Sequence, residues 1–307
     1  MIAISFNTVC ERMKIHPDDL PGFCRDSFQQ INTNYTPLAT NQRDAHIHAI
    51  LKRIEEGLVA RTTEANLAAF EAGWHENYLQ CAEQGINWET LRPKYVKPFS
   101  IVRLNQEFVA PNNPFLPDDL LLQYVQIAAA KYLVDVDHII EFGCGTGRFL
   151  HRLTQLFPNK HLIGTDWTQA SLKLLTLMSE SGCKVTGRIF DLTHPDASFN
   201  LPKNSAVITI GALEQIGSHH RAFTNYLLLQ RPSVVIHLEP IHEFYNPDNL
   251  VDYLADVYHH RRKYLQGYWT RLRALETEGQ LCILSAQRMF SGDPFHESSS
   301  LIVWKPS

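Results

Sequence analysis

From residue 138 onward the chain alternates between short apolar runs and stretches whose apolar residues return every three or four positions. The runs cover 138–142, 161–165, 184–190, 205–210, 234–238, 280–287 and 299–304. Between them, Phe149, Leu150, Leu153 and Leu156 stand at helical spacing, as do Leu172, Leu175 and Met178, and Phe223, Tyr226, Leu227 and Leu229. Short apolar runs divided by helical repeats predict strands alternating with helices, and so a mostly parallel sheet with helices on both faces. A long helical section is expected over 248–278. The link at 291–298 is too short for a crossover, so the last strand is expected to run antiparallel.

Residues 1–130 follow another pattern. Pro17, Pro21 and Pro37 interrupt 1–40. Helices are expected at about 41–57, through Ala45, Ile47, Ile50, Leu51 and Ile54, and at about 63–81, through Leu67, Phe70, Trp74 and Leu79. The span 86–117 is proline-punctuated and loop-rich, with 101–104 and 108–109 as short strands or buried anchors. A further helix is expected from about 117 to 133, with Asp118 or Asp119 at its start. The chain thus divides into a mainly helical N-terminal lid region, 1–130, and an α/β domain, 131–307.

The first run of that domain ends in Glu141-Phe142-Gly143-Cys144-Gly145-Thr146-Gly147. Strand, glycine turn and helix follow without a gap. Glycines allow positive φ and let a ligand approach the backbone, and the new helix offers unpaired N–H groups. The second run ends at Asp166, where an acid about 20 residues past a glycine turn can accept ribose hydroxyls. A dinucleotide fingerprint has G-x-G-x-x-G spacing; here an acid stands two residues before the first glycine. A carboxylate there repels phosphates but suits a ligand carrying an ammonium and a sulfonium.

These residues resemble the class I S-adenosylmethionine (SAM)-dependent methyltransferases. Glu141 to Gly147 match the family's first motif, and Asp166 the acid after its second strand. Phe190-Asp191-Leu192 resembles the segment framing the adenine, and Gly211 to Ile216 the segment after the fourth strand, beside the transferred methyl. The resemblance covers about 131–307. It implies a Rossmann-like seven-stranded sheet in the order 3-2-1-4-5-7-6, with S-adenosyl-L-methionine as cofactor. It further implies that the backbone of Gly143, Cys144, Gly145 and Gly147 approaches the cofactor's amino-acid part, Glu141 serves its ammonium, Asp166 holds the ribose, Trp167 flanks the adenine, and Asp191 with Leu192 reads its exocyclic amine. No reactive role is assigned to the Cys144 thiol.

Polar clusters at strand ends supply candidates for the acceptor side. Glu214, with Gln215, His219 and His220, follows strand four; Glu239, His242, Glu243 and Tyr245 follow strand five; Arg288, His296, Glu297 and Ser298 surround the last hairpin. A neutral histidine suits proton removal from a hydroxyl or amine, so His219 and His242 are the candidate bases, with Glu214 beside them. Trp74, Arg103, Gln106, Glu239, Tyr245 and Arg288 are candidate substrate contacts. His237, Glu239, His242 and Glu243 do not form the H-E-x-x-H pattern of a helical zinc site, and no metal is assigned. A basic-aromatic patch, 259–271, suits a phosphorylated, carboxylate-bearing or nucleic-acid acceptor, or a solvated helix face.

Composition narrows this moderately. The 307 residues are 44% hydrophobic, enough for a substantial core, and their formal charge of −4 argues against general nucleic-acid binding. The six cysteines form no C-x-x-C pair and are expected to be free thiols in the cytoplasm. The start, 1–6, lacks the pattern of a secretory signal, and no apolar run reaches the length of a membrane span. The resulting expectation is methyl transfer to an O or N nucleophile of a small molecule. Protein or nucleic-acid methylation, a nicotinamide-dependent reductase, a non-enzymatic cofactor binder and a homodimer stay open.

Overall fold

The protein is described by a computed structural model covering residues 2–57, 63–297 and 299–307; Met1, residues 58–62 and Ser298, including the parts played by Met1 and Ser298 in the sequence expectations, lie outside the described residues. In chain order the elements are β1 (Ile2–Ala3), α1 (Phe6–Met13), α2 (Gly22–Gln29), β2 (Asn34–Pro37), α3 (Thr40–Gly57), α4 (Thr63–Gln84), β3 (Val102–Leu104), β4 (Glu107–Pro111) and α5 (Leu116–Tyr132). Then come β5 (His138–Phe142), α6 (Arg148–Leu156), β6 (His161–Asp166), α7 (Gln169–Glu180), β7 (Val185–Ile189), β8 (Ser205–Ile210) and α8 (Arg221–Gln230). The chain ends with β9 (Val234–Glu239), α9 (Leu250–Arg262), α10 (Tyr268–Thr277), β10 (Leu281–Arg288), β11 (Ser291–Gly292) and β12 (Ser300–Pro306).

The larger sheet has the order β7-β6-β5-β8-β9-β12-β10. Its first five strands are parallel, and β12 runs antiparallel to both β9 and β10. This is the seven-stranded order implied by the resemblance. The order reverses at β5, so the ends of β5 and β8 open a crevice where ligands of such sheets settle. Side chains alternate across the sheet: Ile139 joins one buried cluster, whereas Ile140 and Phe142 join the other. Glu141 therefore faces the side of Ile139, where α4 and α5 also pack.

The N-terminal region is mainly helical, with more strand than the two short pieces expected. Besides α1 to α5 it contains an antiparallel sheet, β1-β2-β4-β3-β11. Asn105 and Gln106, at φ 50° and 64°, make the tight β3–β4 turn. The fifth strand, β11, comes from the link between β10 and β12 and pairs with β3 through Ser291↔Leu104 and Gly292↔Arg103. The link expected to be a plain hairpin thus ties the two ends of the chain together. Residues of α1, α2, α4 and α5 share one buried cluster with the larger sheet.

The helical section 248–278 is two helices. α9 ends where Lys263 takes φ 53°, and Gly267, at φ 70°, starts α10. α5 starts at Phe115 and has Asp118 and Asp119 in its first turn. All six cysteines are free. Among the described residues no helix is long and apolar enough to cross a membrane.

Candidate functional site

The turn after β5 is built on backbone that only glycine accommodates. A Cβ on Gly143 would lie 2.4 Å from that of Ala212, so β5 and the segment after β8 touch here without side-chain bulk. The Gly143 and Cys144 amides donate to the Thr165 carbonyl at 2.8 and 2.9 Å, fixing the turn to the end of β6. Gly147, at φ 72°, opens α6. The Cys144 thiol is buried, and burial followed by the Asp166 and Glu141 charges pushes its pKa well above the ordinary value, leaving it unreactive.

Two carboxyl groups stand beside this turn, neither of them ion-paired among the described residues. Glu141 is 1% exposed, its Oε2 has no hydrogen-bond partner, and burial, then Asp166, raises its pKa to about 8. Asp166 is also raised, by burial, against the pull of its hydrogen bonds. Its Oδ2 accepts the Gly145 amide at 2.9 Å, while Oδ1 accepts the Thr168 amide and hydroxyl at 3.0 and 2.7 Å. Asp166 thus holds both the glycine turn and the start of α7. Buried carboxyls without a cation are costly, and a positively charged ligand is what such a site lacks.

α4 covers the turn. Trp74 is 5% exposed, and its indole carbon Cζ2 lies 3.1 Å from where a Cβ on Gly145 would stand. Its Nε1 is buried without a partner. Phe70 stacks on Trp74 with centroids 5.4 Å apart and leans on Trp167 at 6.3 Å. One turn away, Glu71 Oε2 accepts the Gln169 and Ala170 amides at 2.8 and 3.2 Å, an acidic cap on α7 supplied by another helix. Trp74, expected to contact substrate, is thus part of the wall over the glycine turn. Asp191 is half-exposed; burial opposes ionisation, but the Thr193 hydroxyl and amide and His194 outweigh it and lower its pKa. Leu192 is buried against the Gly143–Ala212 contact.

Beyond Trp74 lies Tyr95, with ring centroids 5.8 Å apart. Tyr95 is 65% exposed. Glu214 is half-buried; burial first, then Glu239, raises it to about 8, with Gln215 Nε2 donating to its Oε1 at 2.6 Å. Tyr264 and Arg262 lie near it, with Arg262 Nε and Nη2 donating to the Tyr264 hydroxyl at 3.2 and 3.1 Å. The basic-aromatic patch is therefore no single surface. Tyr264 and Arg262 face Glu214, Tyr268 points beneath the sheet to His237 at 2.7 Å, and His259 enters a polar core.

Several candidates have other work. Glu239 is fully buried: Oε1 accepts the Ala212 and Leu213 amides at 3.0 and 3.1 Å, and Oε2 the Glu214 amide at 3.3 Å. It sets the segment that carries Glu214. Arg103 and Arg288, expected to contact substrate, both bind Asp252: Arg103 Nη2 donates to Oδ1 at 3.2 Å, and Arg288 Nη1 and Nη2 donate to Oδ2 and Oδ1 at 2.7 and 2.6 Å. Arg288 also grips Glu297 at 2.7 and 2.8 Å. Tyr245 packs beside these guanidiniums and reaches His259 at 3.4 Å. Gln106 belongs to the β3–β4 turn.

The histidines separate as well. His219 is exposed, its Nδ1 3.1 Å from the Ile216 carbonyl. His242 is half-buried and paired with Asp256 at 3.0 Å, and donor atoms of His242, Asp256 and His260 lie within 4.8 Å of one another. His296 meets His259 at 3.1 Å. His237 is held by Thr209, Tyr268 and Trp304, and burial lowers its pKa to about 3, so it stands apart from His242. Tyr95 and Asp252 were missed from sequence, whereas Glu71 belongs to a polar and aromatic cluster with Trp74, His75, Glu76 and Asn77 that the sequence offers as a pocket lining. A tyrosine in a proline-rich loop and acids on helices carry no periodic signal; only the 3D partners give them meaning.

A scan against protein-family models matches none, and a search of curated proteins matches none. Solved structures do resemble the chain. A magnesium protoporphyrin IX methyltransferase from Synechocystis PCC 6803, with bound SAM, is 16% identical at a TM-score of 0.42, over 62% of this chain and 78% of its own. The plantazolicin methyltransferase, in complex with a desmethyl analogue and SAH, is 11% identical at 0.42, over 64% and 86%. The mitomycin 7-O-methyltransferase is 11% identical at 0.44, over 63% and 56%. Likeness at this level assigns neither substrate nor chemistry, which rest on the residues themselves.

Proposed function

We propose that this chain is a SAM-dependent methyltransferase acting on an O or N nucleophile of a small molecule. One observation carries the reading: Glu141 and Asp166 are buried beside the glycine turn, neither is ion-paired among the described residues, and Glu141 Oε2 has no hydrogen-bond partner among them. A ligand bearing an ammonium and a sulfonium relieves that deficit, whereas the pyrophosphate of a nicotinamide dinucleotide deepens it. The residues therefore fit the cofactor named by the resemblance. Glu141 would hold its ammonium, Asp166 its ribose hydroxyls, and Trp167, Asp191 and Leu192 would frame its adenine.

When bound, the cofactor supplies an electrophilic methyl group for in-line displacement. The protein's contribution is alignment and exclusion of water. Trp74 covers the glycine turn, and Glu239 fixes the backbone of 212–214. Glu214, with a pKa of about 8, accepts a proton from the attacking hydroxyl or amine at near-neutral pH. His219 is exposed and His242 is committed to acidic partners, so Glu214 is the stronger base candidate. The net negative charge favours a small acceptor over nucleic acid.

Calorimetry with SAM, its demethylated product and NADH, followed by transfer of labelled methyl to fractionated extract, tests the proposal. Binding of the first two but not NADH, with label in a low-mass fraction, is expected. NADH binding alone returns the reading to a reductase. Sulfonium binding with no labelled product in any fraction leaves a non-enzymatic binder, and label in protein or nucleic acid moves the acceptor class.

A further inference from the structure

We infer that the groove between the starts of α8 and α10 is an anion site that takes a phosphate group. The groove encloses about 360 Å³ and is lined by Ser218, His220, Arg221, Gly267, Thr270 and Arg271 among others. It shares no residue with the cofactor turn. Both helices have ten residues, and neither has a side chain capping its start from the N-cap position. Leading amides of a helix carry partial positive charge and seek acceptors. Glu243 Oε1 already accepts one of them, the Trp269 amide, at 3.2 Å.

Two further observations point to a missing ligand. His220 is 4% exposed; its Nε2 donates to the Gln266 carbonyl at 3.0 Å, and its buried Nδ1 has no partner. Arg271 Nε is likewise buried and unpartnered, and neither Arg271 nor Arg221 forms an ion pair among the described residues. Two guanidiniums, an imidazole and two helix starts around one groove match a tetrahedral oxyanion in charge and in donor number.

The histidine adds a signature. With Nε2–H committed to Gln266, neutral His220 presents a lone pair at Nδ1, and only protonation makes that atom a donor. Burial is the main cause disfavouring the proton; Arg221 and Arg271 oppose it too, Glu243 favours it, and Tyr268 packs edge-on at 5.1 Å. A phosphate between the guanidiniums offsets their charge. His220 then takes up a proton as the anion binds, and affinity falls as pH rises.

Inorganic phosphate titrated into the full chain, followed by the ring ¹⁵N shifts of His220 and by calorimetry in buffers of different ionisation heat, tests the site. Saturation below about 10 mM, proton uptake at pH near 7 and roughly tenfold weaker binding in Arg221→Gln and in Arg271→Gln are expected. Phenyl phosphate separates the sources: tighter binding than phosphate assigns the groove to a phosphorylated small molecule, equal binding to the free ion. No saturable shift, net proton release, or a shift unchanged in the folded double variant overturns the site. SAM binding by the same double variant is read in parallel, so failure here is distinguishable from failure at the glycine turn.

Discussion

Trp74 lies across Gly145, its nearest indole carbon 3.1 Å from the position a Cβ on residue 145 would take. Gly145 also has φ 55°, which strains any other residue. Gly145→Ala is therefore expected to cost about 1–3 kcal/mol, partly from backbone strain and partly from displacing the indole. Trp74→Ala removes a buried ring and costs about 3–5 kcal/mol. The two changes share one contact, so the double variant is expected to be more stable than the sum by at least about 0.5 kcal/mol. Chemical denaturation of the four proteins measures this; strict additivity means that the indole does not press on the turn.

Glu141 makes the ligand-free protein sensitive to pH. Its pKa rises from the usual 4.5 to about 8 on folding, through burial and then Asp166. The folded state holds the proton more tightly, so the stabilisation is fully present below about pH 4.5 and is lost as pH rises through about 8. Glu141→Gln is expected to flatten that fall and to stabilise the ligand-free chain by a few kcal/mol at alkaline pH. A cationic ligand selects the ionised form, so the unmodified chain should release protons on binding SAM at neutral pH, and Glu141→Gln should bind weakly without release. Calorimetry in two buffers reads the proton count. Uptake, or release that survives in Glu141→Gln, excludes the role given to this carboxyl.

The α/β part of this protein was legible because its signals are local. The run ending in Phe142 and the helical spacing of Phe149, Leu150 and Leu153 are each read within one element, and the sheet order followed from the family resemblance. The N-terminal sheet was legible only in part: 101–104 and 108–109 were marked as short strands or buried anchors, where β3 and β4 stand, but β1, β2 and β11 were not marked. Its strands have two to five residues, and its pairs join distant positions, such as Ile2 with Tyr35 and Ser291 with Leu104. Two to five residues are too few to establish an alternation. The same distance misled the reading of Arg103 and Arg288. A charged residue in a loop-rich stretch suggests a ligand when its true partner, Asp252, lies 149 positions from one and 36 from the other. Glu214 was named from its place after the fourth strand, but its preference over His219 required the burial of Glu214 beside Glu239 and the exposure of His219.

Asp252 joins the N-terminal hairpin to the far end of the chain. It is fully buried and accepts from Arg103 on β3, Arg288 on β10 and the Asn246 amide. Removing one member of a buried ionic group leaves the others uncompensated. Asp252→Asn keeps the shape, strands two guanidiniums, and is expected to cost about 3–5 kcal/mol. The loss should be local at first: amide exchange should accelerate across the β3–β11 pairing before it does so in β5 and β8. Equal acceleration everywhere means that the group does not hold this joint in particular.

Glu214 is the residue on which the acceptor chemistry turns. Its pKa of about 8 places the base form in growing supply across the neutral range, so turnover is expected to climb with pH through about 8. Glu141 has a similar pKa and could produce the same limb through cofactor affinity. The two separate at saturating SAM, where Glu141 is already ionised by the bound cation and only the acceptor-side group still titrates. Under those conditions Glu214→Gln should lose the alkaline rise and fall by about 10²–10⁴ in turnover, with SAM affinity changed little. His219→Ala should keep the rise, because that ring is exposed and lies at the Ile216 carbonyl. A Glu214→Gln protein that retains both rate and pH profile transfers the proton-accepting role elsewhere, and loss of the profile in His219→Ala alone assigns it to the histidine.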